Sequence, residues 1–177
     1  MSEPELQNCV LNFAYGANMS PRSLARRRIV PRASSHARLE GHELVFNAPG
    51  LPPFEPAFAN VRPKPGATVY GVLHWLDPAD QVRLDRLEGA GWLYKRVGCD
   101  VFGPGDEPYH AFLYRSWPRF PAFRPSRRYL ELLVDGAQHF GLPDAWCQML
   151  RSTPAVDWPR MARFFDRLDR FRGRRSG

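Results

Sequence analysis

Two separated stretches of the chain carry residue types that could take part in chemistry. The first is the turn at residues 15–18, Tyr-Gly-Ala-Asn, which follows a short apolar segment and precedes Ser20 and Pro21, a typical helix start. Gly16 permits a sharp turn or a close approach of the backbone to a ligand. Backbone amides that point outward there could bind a carboxylate or a developing oxyanion. The same pattern is also common in plain connections between a strand and a helix.

The second stretch is centred on Glu88, which closes a predicted helix just before the sequence Gly89-Ala90-Gly91. A carboxylate at the carboxyl end of a helix meets the negative end of the helix dipole, and the adjoining apolar helix could also shield it from water. Both effects would raise the pKa of Glu88 toward the range that suits a general base. A solvated glutamate at a helix end is the alternative that the local sequence leaves open.

Other common catalytic patterns are missing from the sequence. It contains no GxSxG nucleophile turn, no P-loop and no dinucleotide-binding fingerprint. The five histidines are scattered without metal-ligand spacing, and the three cysteines are far apart with no CxxC pair. We therefore predict neither a metal site nor a disulfide framework, and a reducing cytoplasm is the simplest setting.

Length and charge predict one globular domain. A chain of 177 residues can bury a single core, so we expect one domain over residues 1–177, with its core at about residues 10–155. Part of the net charge of +7 falls in a predicted basic amphipathic helix at residues 159–172, where acidic residues are interleaved with the arginines. We interpret it as a solvated face, so nucleic acid is disfavoured as a partner. No apolar segment reaches membrane-spanning length, so no membrane association is expected.

The hydropathy pattern predicts strands first and helices later. Strand composition occurs at residues 10–13, 37–47 with a break at Gly41, 68–76, 95–102 and 109–114. Prolines crowd residues 48–66, where we expect a loop with only a brief edge strand at residues 58–61. One helix is predicted from Ser20 to Pro31. Three more are predicted to follow the capping residues Asp77, Ser126 and Asp144.

Three separated segments occur in a recognisable order. They are residues 13–19 (FAYGANM), residues 84–89 (LDRLEG) followed by Tyr94, and Pro125-Ser126 with Tyr129, leading into Gly136. In residue type, order and approximate separation, this set resembles the gamma-glutamylcyclotransferase family, including its AIG2-like and gamma-glutamylamine cyclotransferase-like members. The resemblance covers residues 13–150 and leaves the arginine-rich end outside.

The resemblance implies an α+β fold, a small mixed β-barrel with flanking helices, and a small-molecule gamma-glutamyl amide, peptide or amine as substrate. In that reaction the α-amino group of the substrate attacks its own γ-carbonyl carbon, 5-oxoproline forms and the amine leaves. Because the attack is intramolecular, such a protein needs no nucleophile, metal or organic cofactor and can act by folding the substrate into a reactive shape.

By the same resemblance, Glu88 is the catalytic residue, which takes a proton from the α-ammonium group and returns one to the leaving nitrogen. The implied substrate-binding residues are Tyr15, Gly16, Ala17, Asn18, Tyr94 and Tyr129. Many relatives have Ser in place of Ala17, so a hydroxyl contact is lost here while a backbone cradle would survive. Tyr94 and Tyr129 could instead simply pack in an aromatic core.

The sequence also bears on substrate selection and on alternative functions. We expect the stiff aromatic segment at residues 117–125 to help select the amine. Two other functions fit the same residues: an enzyme that removes a gamma-glutamyl group from a protected biosynthetic intermediate, and a non-catalytic barrel-fold binding module, for which Ala17 is the local indication. The sequence leaves open the oligomeric state and the particular gamma-glutamyl compound.

Overall fold

A computed structural model describes residues 6–51, 55–91, 93–117 and 123–157. Its strands are β1 (Val10–Ala14), β2 (Ala33–Leu51), β3 (Glu55–Leu76), β4 (Tyr94–Phe102) and β5 (Pro108–Ser116). Its helices are α1 (Pro21–Arg26), α2 (Pro78–Glu88), α3 (Arg127–His139) and α4 (Asp144–Ser152). The strands close into a barrel in the order β1-β3-β2-β4-β5. The predicted α+β fold with a small β-barrel is confirmed, whereas the basic helix predicted at residues 159–172 lies outside the described residues.

The barrel is mixed because its short first strand joins two partners of opposite direction. β1 runs antiparallel to β3, from the pair Val10 and Leu76 to the pair Ala14 and Val72, and parallel to β5 at Asn12. The Asn12 amide Nδ2 also donates to a β5 carbonyl over 3.2 Å. A Cβ atom at Gly71 would lie 2.4 Å from the Ala14 carbonyl oxygen, so only glycine fits where β1 ends.

Two hydrophobic clusters hold the helices against the barrel. The larger one fills the barrel and receives the inner face of α3, through Leu130 and Leu133. The smaller one lies outside and packs α1 and α2 together, through Leu24, Leu84 and Tyr114. Because removal of apolar surface from water drives this packing, the smaller cluster brings the carboxyl ends of α1 and α2 close to the end of β1. The candidate site lies at that meeting point.

The proline-rich segment, predicted to be a loop, is largely strand. β2 extends to Leu51 and β3 begins at Glu55, and the two strands pair along their length, for example Ala48 with Phe58. The ladder is irregular near Gly41, which has a φ of 70°, and again after Phe46. Such bulges and strand edges are where a ladder tolerates prolines and glycines. The expected break at Gly41 is therefore a bulge within one long hairpin.

Two helix predictions need correction. α1 ends at Arg26 instead of continuing to Pro31, because Arg28 adopts a left-handed φ of 55°. The turn carries Ile29 into the smaller cluster, where it is 2% exposed. Asp144 lies in the first turn of α4 and the cap position belongs to Pro143, so the carboxylate acts through the helix dipole instead.

The other helix limits agree with the sequence. Asp77 precedes α2 at the cap position, and Gly89 ends it with a left-handed φ of 59°. Ser126 caps α3, where its Oγ accepts from the Tyr129 backbone N–H over 3.1 Å. Within the described segments, no helix is long and apolar enough to cross a membrane.

Candidate active site

A cavity of about 200 Å³ lies at the end of the barrel where β1 passes into the turn at residues 15–18. All seven residues assigned to a site from the sequence line it: Tyr15, Gly16, Ala17, Asn18, Glu88, Tyr94 and Tyr129. The turn and the Glu88 carboxylate therefore face one space, as the assignment required. Their chemical roles stay predictions.

The Glu88 carboxylate is held through one of its two oxygens. Asn18 Nδ2 donates to Glu88 Oε1 over 3.1 Å, and the Arg27 guanidinium forms an ion pair with the same oxygen. The Glu88 side chain is 14% exposed, so it is in contact with the cavity without being freely solvated. Within the described residues, Oε2 accepts no hydrogen bond. This leaves one carboxylate oxygen for a ligand while the other fixes the side chain.

Arg27 is a site residue that the sequence reading missed. The run Arg26-Arg27-Arg28 falls inside the helix predicted from Ser20 to Pro31, but α1 ends at Arg26 and the chain turns there. Arg27 consequently lines the cavity and meets a carboxylate 61 positions away in sequence. A run of arginines carries no signal for that partner, because the contact depends on how two helices pack.

Asn12 is a second missed residue. It lies on β1, is 1% exposed and lines the cavity. Asn12 Oδ1 and Asn18 Oδ1 are both buried and have no hydrogen-bond partner among the residues described. A buried acceptor without a donor is costly, so the pair favours a ligand that brings N–H groups, such as an ammonium ion. The alternation of polar Asn12 with apolar neighbours in β1 was the only available signal in the sequence.

His74 positions Asn18 from behind the cavity. Ser34 Oγ lies 2.7 Å from His74 Nδ1, and His74 Nε2 lies 3.1 Å from the Asn18 carbonyl oxygen. Since a carbonyl only accepts, Nε2 carries the proton and Nδ1 accepts from the serine hydroxyl. Burial lowers the pKa of His74 to about 4, so the imidazole is neutral at pH 7.

This buried imidazole predicts a pH dependence of stability. Between pH 6.5 and about 4 the unfolded chain binds a proton at His74 that the folded protein does not, so stability falls as the pH is lowered. The difference between those values corresponds to about 3 kcal/mol. We expect His74→Gln, which keeps an N–H donor for Asn18, to lose less stability over this range than the wild type, as measured by urea unfolding.

A matched control for this experiment is His36→Gln, because His36 is exposed on β2. That variant should keep the wild-type change in unfolding free energy between neutral pH and pH 4. If the unfolding free energies of the wild type and His74→Gln fell equally between neutral pH and pH 4, the buried imidazole would not be the cause of the pH dependence.

The tyrosines of the cavity have two roles: Tyr15 makes a structural hydrogen bond, whereas Tyr94 and Tyr129 are candidate proton donors to a ligand. Tyr15 donates its hydroxyl proton to the Tyr114 carbonyl, and the Tyr114 hydroxyl donates to Asp85 Oδ1 over 2.7 Å. Tyr15 thus ties the turn to β5. The Tyr94 hydroxyl makes no hydrogen bond within the described residues. Burial, and secondarily the nearby Tyr129 and Glu88, raises the pKa of Tyr94, so it is a neutral phenol.

Tyr129 is placed so that its own proton stays available. The Ala59 backbone N–H donates to the Tyr129 hydroxyl oxygen over 3.1 Å, and the phenol is 5% exposed. Burial raises the pKa of Tyr129, against a smaller opposite effect of the Ala59 and Ala17 backbone amides. A Cβ atom at Gly16 would lie 3.1 Å from this hydroxyl, which explains glycine at that position. A neutral O–H whose oxygen already accepts can donate into the cavity.

The described residues of the segment 117–125 do not line the Glu88 cavity. Trp117 lines a separate cavity, and neither Trp117 nor Phe123 lines the one that contains Glu88. Residues 118–122 lie outside the described part of the chain. Pro49, Phe58, Leu87 and Leu93 form the apolar side of the Glu88 cavity instead. Trp117 and Phe123 thus give no support to amine selection by this segment, whose role stays a prediction.

In the part of the chain that the structure describes, no three His, Cys, Asp or Glu side chains lie close enough together to hold a metal ion. A closed five-stranded barrel with flanking helices is the fold expected from the resemblance to gamma-glutamylcyclotransferases. Comparison with known proteins points to similar proteins.

Residues 68–150 match the model of the AIG2-like family. The gamma-glutamyl cyclotransferase aclK of Aspergillus oryzae is 25% identical over 90% of this chain and 68% of its own length. The gamma-glutamyl cyclotransferase verK of Clonostachys rogersoniana is 29% identical over 67% of this chain and 79% of its own. A solved gamma-glutamyl cyclotransferase superposes with a TM-score of 0.76 at 21% identity, covering 89% of this chain and 98% of that one. These matches confirm the predicted resemblance to the AIG2-like family and to gamma-glutamyl cyclotransferases.

Proposed function

We propose that this enzyme cyclises a gamma-glutamyl amide, peptide or amine to 5-oxoproline and releases the amine, with Glu88 as general acid and base. One observation carries the proposal. Asn18 and Glu88, 70 positions apart in sequence, are joined by a 3.1 Å hydrogen bond across one cavity. The names of the relatives aclK and verK support the same reaction class.

The acceptors on one side of the cavity suit the α-ammonium group of a gamma-glutamyl substrate. Asn12 Oδ1 and Asn18 Oδ1 are buried without a donor among the described residues, and the hydrogen bonds of Glu88 from Asn18 and Arg27 both go to Oε1, which leaves Oε2 open. An ammonium group would satisfy the two buried amide oxygens and bring its proton to the carboxylate. The backbone of the turn at Gly16 would hold the α-carboxylate of the substrate.

The reaction moves two protons, one after the other, from the attacking nitrogen to the leaving nitrogen. Glu88 Oε2 takes a proton from the ammonium group, and the freed nitrogen attacks the γ-carbonyl carbon to form a five-membered ring. The Tyr129 O–H, with Tyr94 as a second candidate, donates to the oxyanion that develops. As the bond to the amine breaks, Glu88 gives this proton to the leaving nitrogen. The restored carboxylate then takes the second proton from the attacking nitrogen, which becomes the lactam N–H, and passes it to the released amine, which leaves as an ammonium ion.

The amine would leave through an apolar mouth. Leu87 and Leu93 flank Glu88 and are 51% and 43% exposed. Arg27 is the only cation among the described lining residues, and Glu88 already engages it. A carboxylate on the leaving group would therefore find no free partner there, which supports an uncharged apolar amine over an amino acid.

A panel of gamma-glutamyl compounds tests the function. The sharpest pair is gamma-glutamyl-phenethylamine and gamma-glutamyl-phenylalanine, which differ only by the carboxylate of the leaving group. We expect equimolar 5-oxoproline and amine, with a higher kcat/KM for the phenethylamine compound, measured by chromatography of both products.

Each other result leads to a different function. Free glutamate in place of 5-oxoproline would indicate hydrolytic removal of the gamma-glutamyl group. Binding of these compounds without any product would indicate the non-catalytic module. A higher kcat/KM for the phenylalanine compound would contradict only the amine preference, since cyclisation would still have occurred.

A further inference from the structure

A second cavity, of about 380 Å³, lies behind the first on the same strands. Tyr94 and Tyr114 line the Glu88 cavity, while their chain neighbours Lys95 and Arg115 line the second one. Successive strand residues point to opposite faces, so the two cavities lie back to back across β4 and β5. Among the described residues they share no lining side chain.

Positive charge is concentrated in this cavity. Lys95 and Arg115 lie directly opposite each other in the β4–β5 ladder, so their side chains are on the same face. Like charges in that position destabilise a sheet unless something compensates them. No acidic residue is among the described lining residues, and the third cation, Arg62, is already paired with Glu43. An anion between Lys95 and Arg115 would remove the repulsion.

An aromatic ring completes the rim. Trp117 lines the cavity and is 57% exposed, and Lys95 Nζ lies 4.9 Å from the centre of its ring. Val61 and Val97 add apolar surface beside the cations. A large exposed aromatic ring at the edge of a cavity is suited to stacking against a flat apolar group.

The base of the cavity is rigid and preformed. Asn60 is 2% exposed, and its Nδ2 donates over 2.9 Å to both Asn47 Oδ1 and the Ser116 carbonyl. Asn60 Oδ1 accepts from the backbone N–H groups of Val61 at 3.0 Å and Ser116 at 3.2 Å. This amide therefore ties β3 to β5 and has no bond left for a ligand. Recognition falls to the two cations and the tryptophan.

We propose that this cavity is a second small-molecule site, which binds an anion attached to a flat apolar ring. Lys95 and Arg115 hold the anionic group, and Trp117 packs against the ring. The site is separate from the Glu88 cavity and does not depend on the function proposed for it.

Phenyl phosphate is a suitable probe, with inorganic phosphate and phenol as its two halves, in calorimetric titrations of the full chain. Phenyl phosphate should bind most tightly and more weakly as NaCl is added. Lys95→Gln and Arg115→Gln should each weaken its binding about tenfold or more, because each removes a charge-assisted contact. Trp117→Leu should weaken phenyl phosphate binding and leave inorganic phosphate unaffected.

Arg96→Gln is the matched control, since it removes one positive charge from the same strand on its opposite face, where Arg96 lies 3.4 Å from Asp85. It should bind phenyl phosphate like the wild type. An equal loss in all three charge variants would show non-specific attraction and overturn the proposal. The proposal would also be overturned if phenyl phosphate did not bind at millimolar concentration, or if phenol bound equally well. Loss of phenyl phosphate binding in Glu88→Gln would overturn it too, because the probe would then lie in the other cavity. Thermal unfolding of each variant confirms that it is folded.

Discussion

Replacement of Glu88 by Gln is expected to slow 5-oxoproline release by about 10²–10⁴-fold, the usual contribution of a positioned general base. Gln has the same shape and keeps an oxygen that can accept from Asn18, which lies 3.1 Å from Oε1 in the wild type. It cannot take the ammonium proton. The loss should therefore fall mainly on kcat, measured under steady-state conditions with the best substrate of the panel.

The controls separate proton transfer from charge and folding. Asp80→Asn removes a carboxylate from the same helix that is not among the described lining residues of the cavity, and this variant should release 5-oxoproline at nearly the wild-type rate. Because Gln also loses the ion pair with Arg27, the unfolding free energy of the variant must be measured alongside. Undiminished release by Glu88→Gln would remove this residue from the mechanism.

The second large effect is expected at Gly136, where α3 crosses the turn that carries Asn18. A Cβ atom there would lie 2.7 Å from the Met19 carbonyl carbon and 2.8 Å from the Ser20 nitrogen. These are backbone atoms, and Ser20 is also tied to α3 by a 2.9 Å hydrogen bond from its Oγ to Asp135. The turn cannot move away without breaking that contact.

Gly136→Ala is therefore expected to destabilise the protein by about 1–3 kcal/mol through overpacking. Helix propensity alone predicts the opposite sign, a gain of about 1 kcal/mol from alanine inside a helix. The free energy of unfolding in urea decides between them. Displacement of the turn should also raise KM, because Asn18 and Gly16 belong to the same turn.

Gly98→Ala is the matched control, since a Cβ atom there meets nothing closer than 3.5 Å. It should change the unfolding free energy by no more than about 0.5 kcal/mol. A stabilised Gly136→Ala variant with wild-type KM would show that the contact between α3 and the turn does not fix the site.

Local signals predicted a large part of this protein. The glycine turn after β1, the end of α2 at Gly89 and the cap of α3 at Ser126 are set by residues within a few positions of each other. Such features depend on backbone conformation and short-range hydrogen bonds, which the sequence displays directly. The order of the segments around Glu88 and Tyr129 carried the resemblance, and hence the fold.

The failures share a different cause. Prolines favoured a loop at residues 48–66, yet pairing of β2 with β3 along their length outweighed that local preference. The aromatic segment at residues 117–125 was expected beside the amine, but Trp117, which directly follows β5, lines another cavity. Neighbourhood in sequence does not decide which face of a barrel a side chain occupies.

The sequence by itself determined the turn at residues 15–18, the position of Glu88 at a helix end and the barrel class. Only the tertiary structure decided what surrounds that carboxylate. Arg27 reaches Glu88 across 61 positions, His74 reaches the Asn18 carbonyl across 56, and Asn12 reaches β5 across 100. These contacts exist because the closed barrel and the packing of α1 against α2 bring distant segments together, and no local pattern in the chain specifies them.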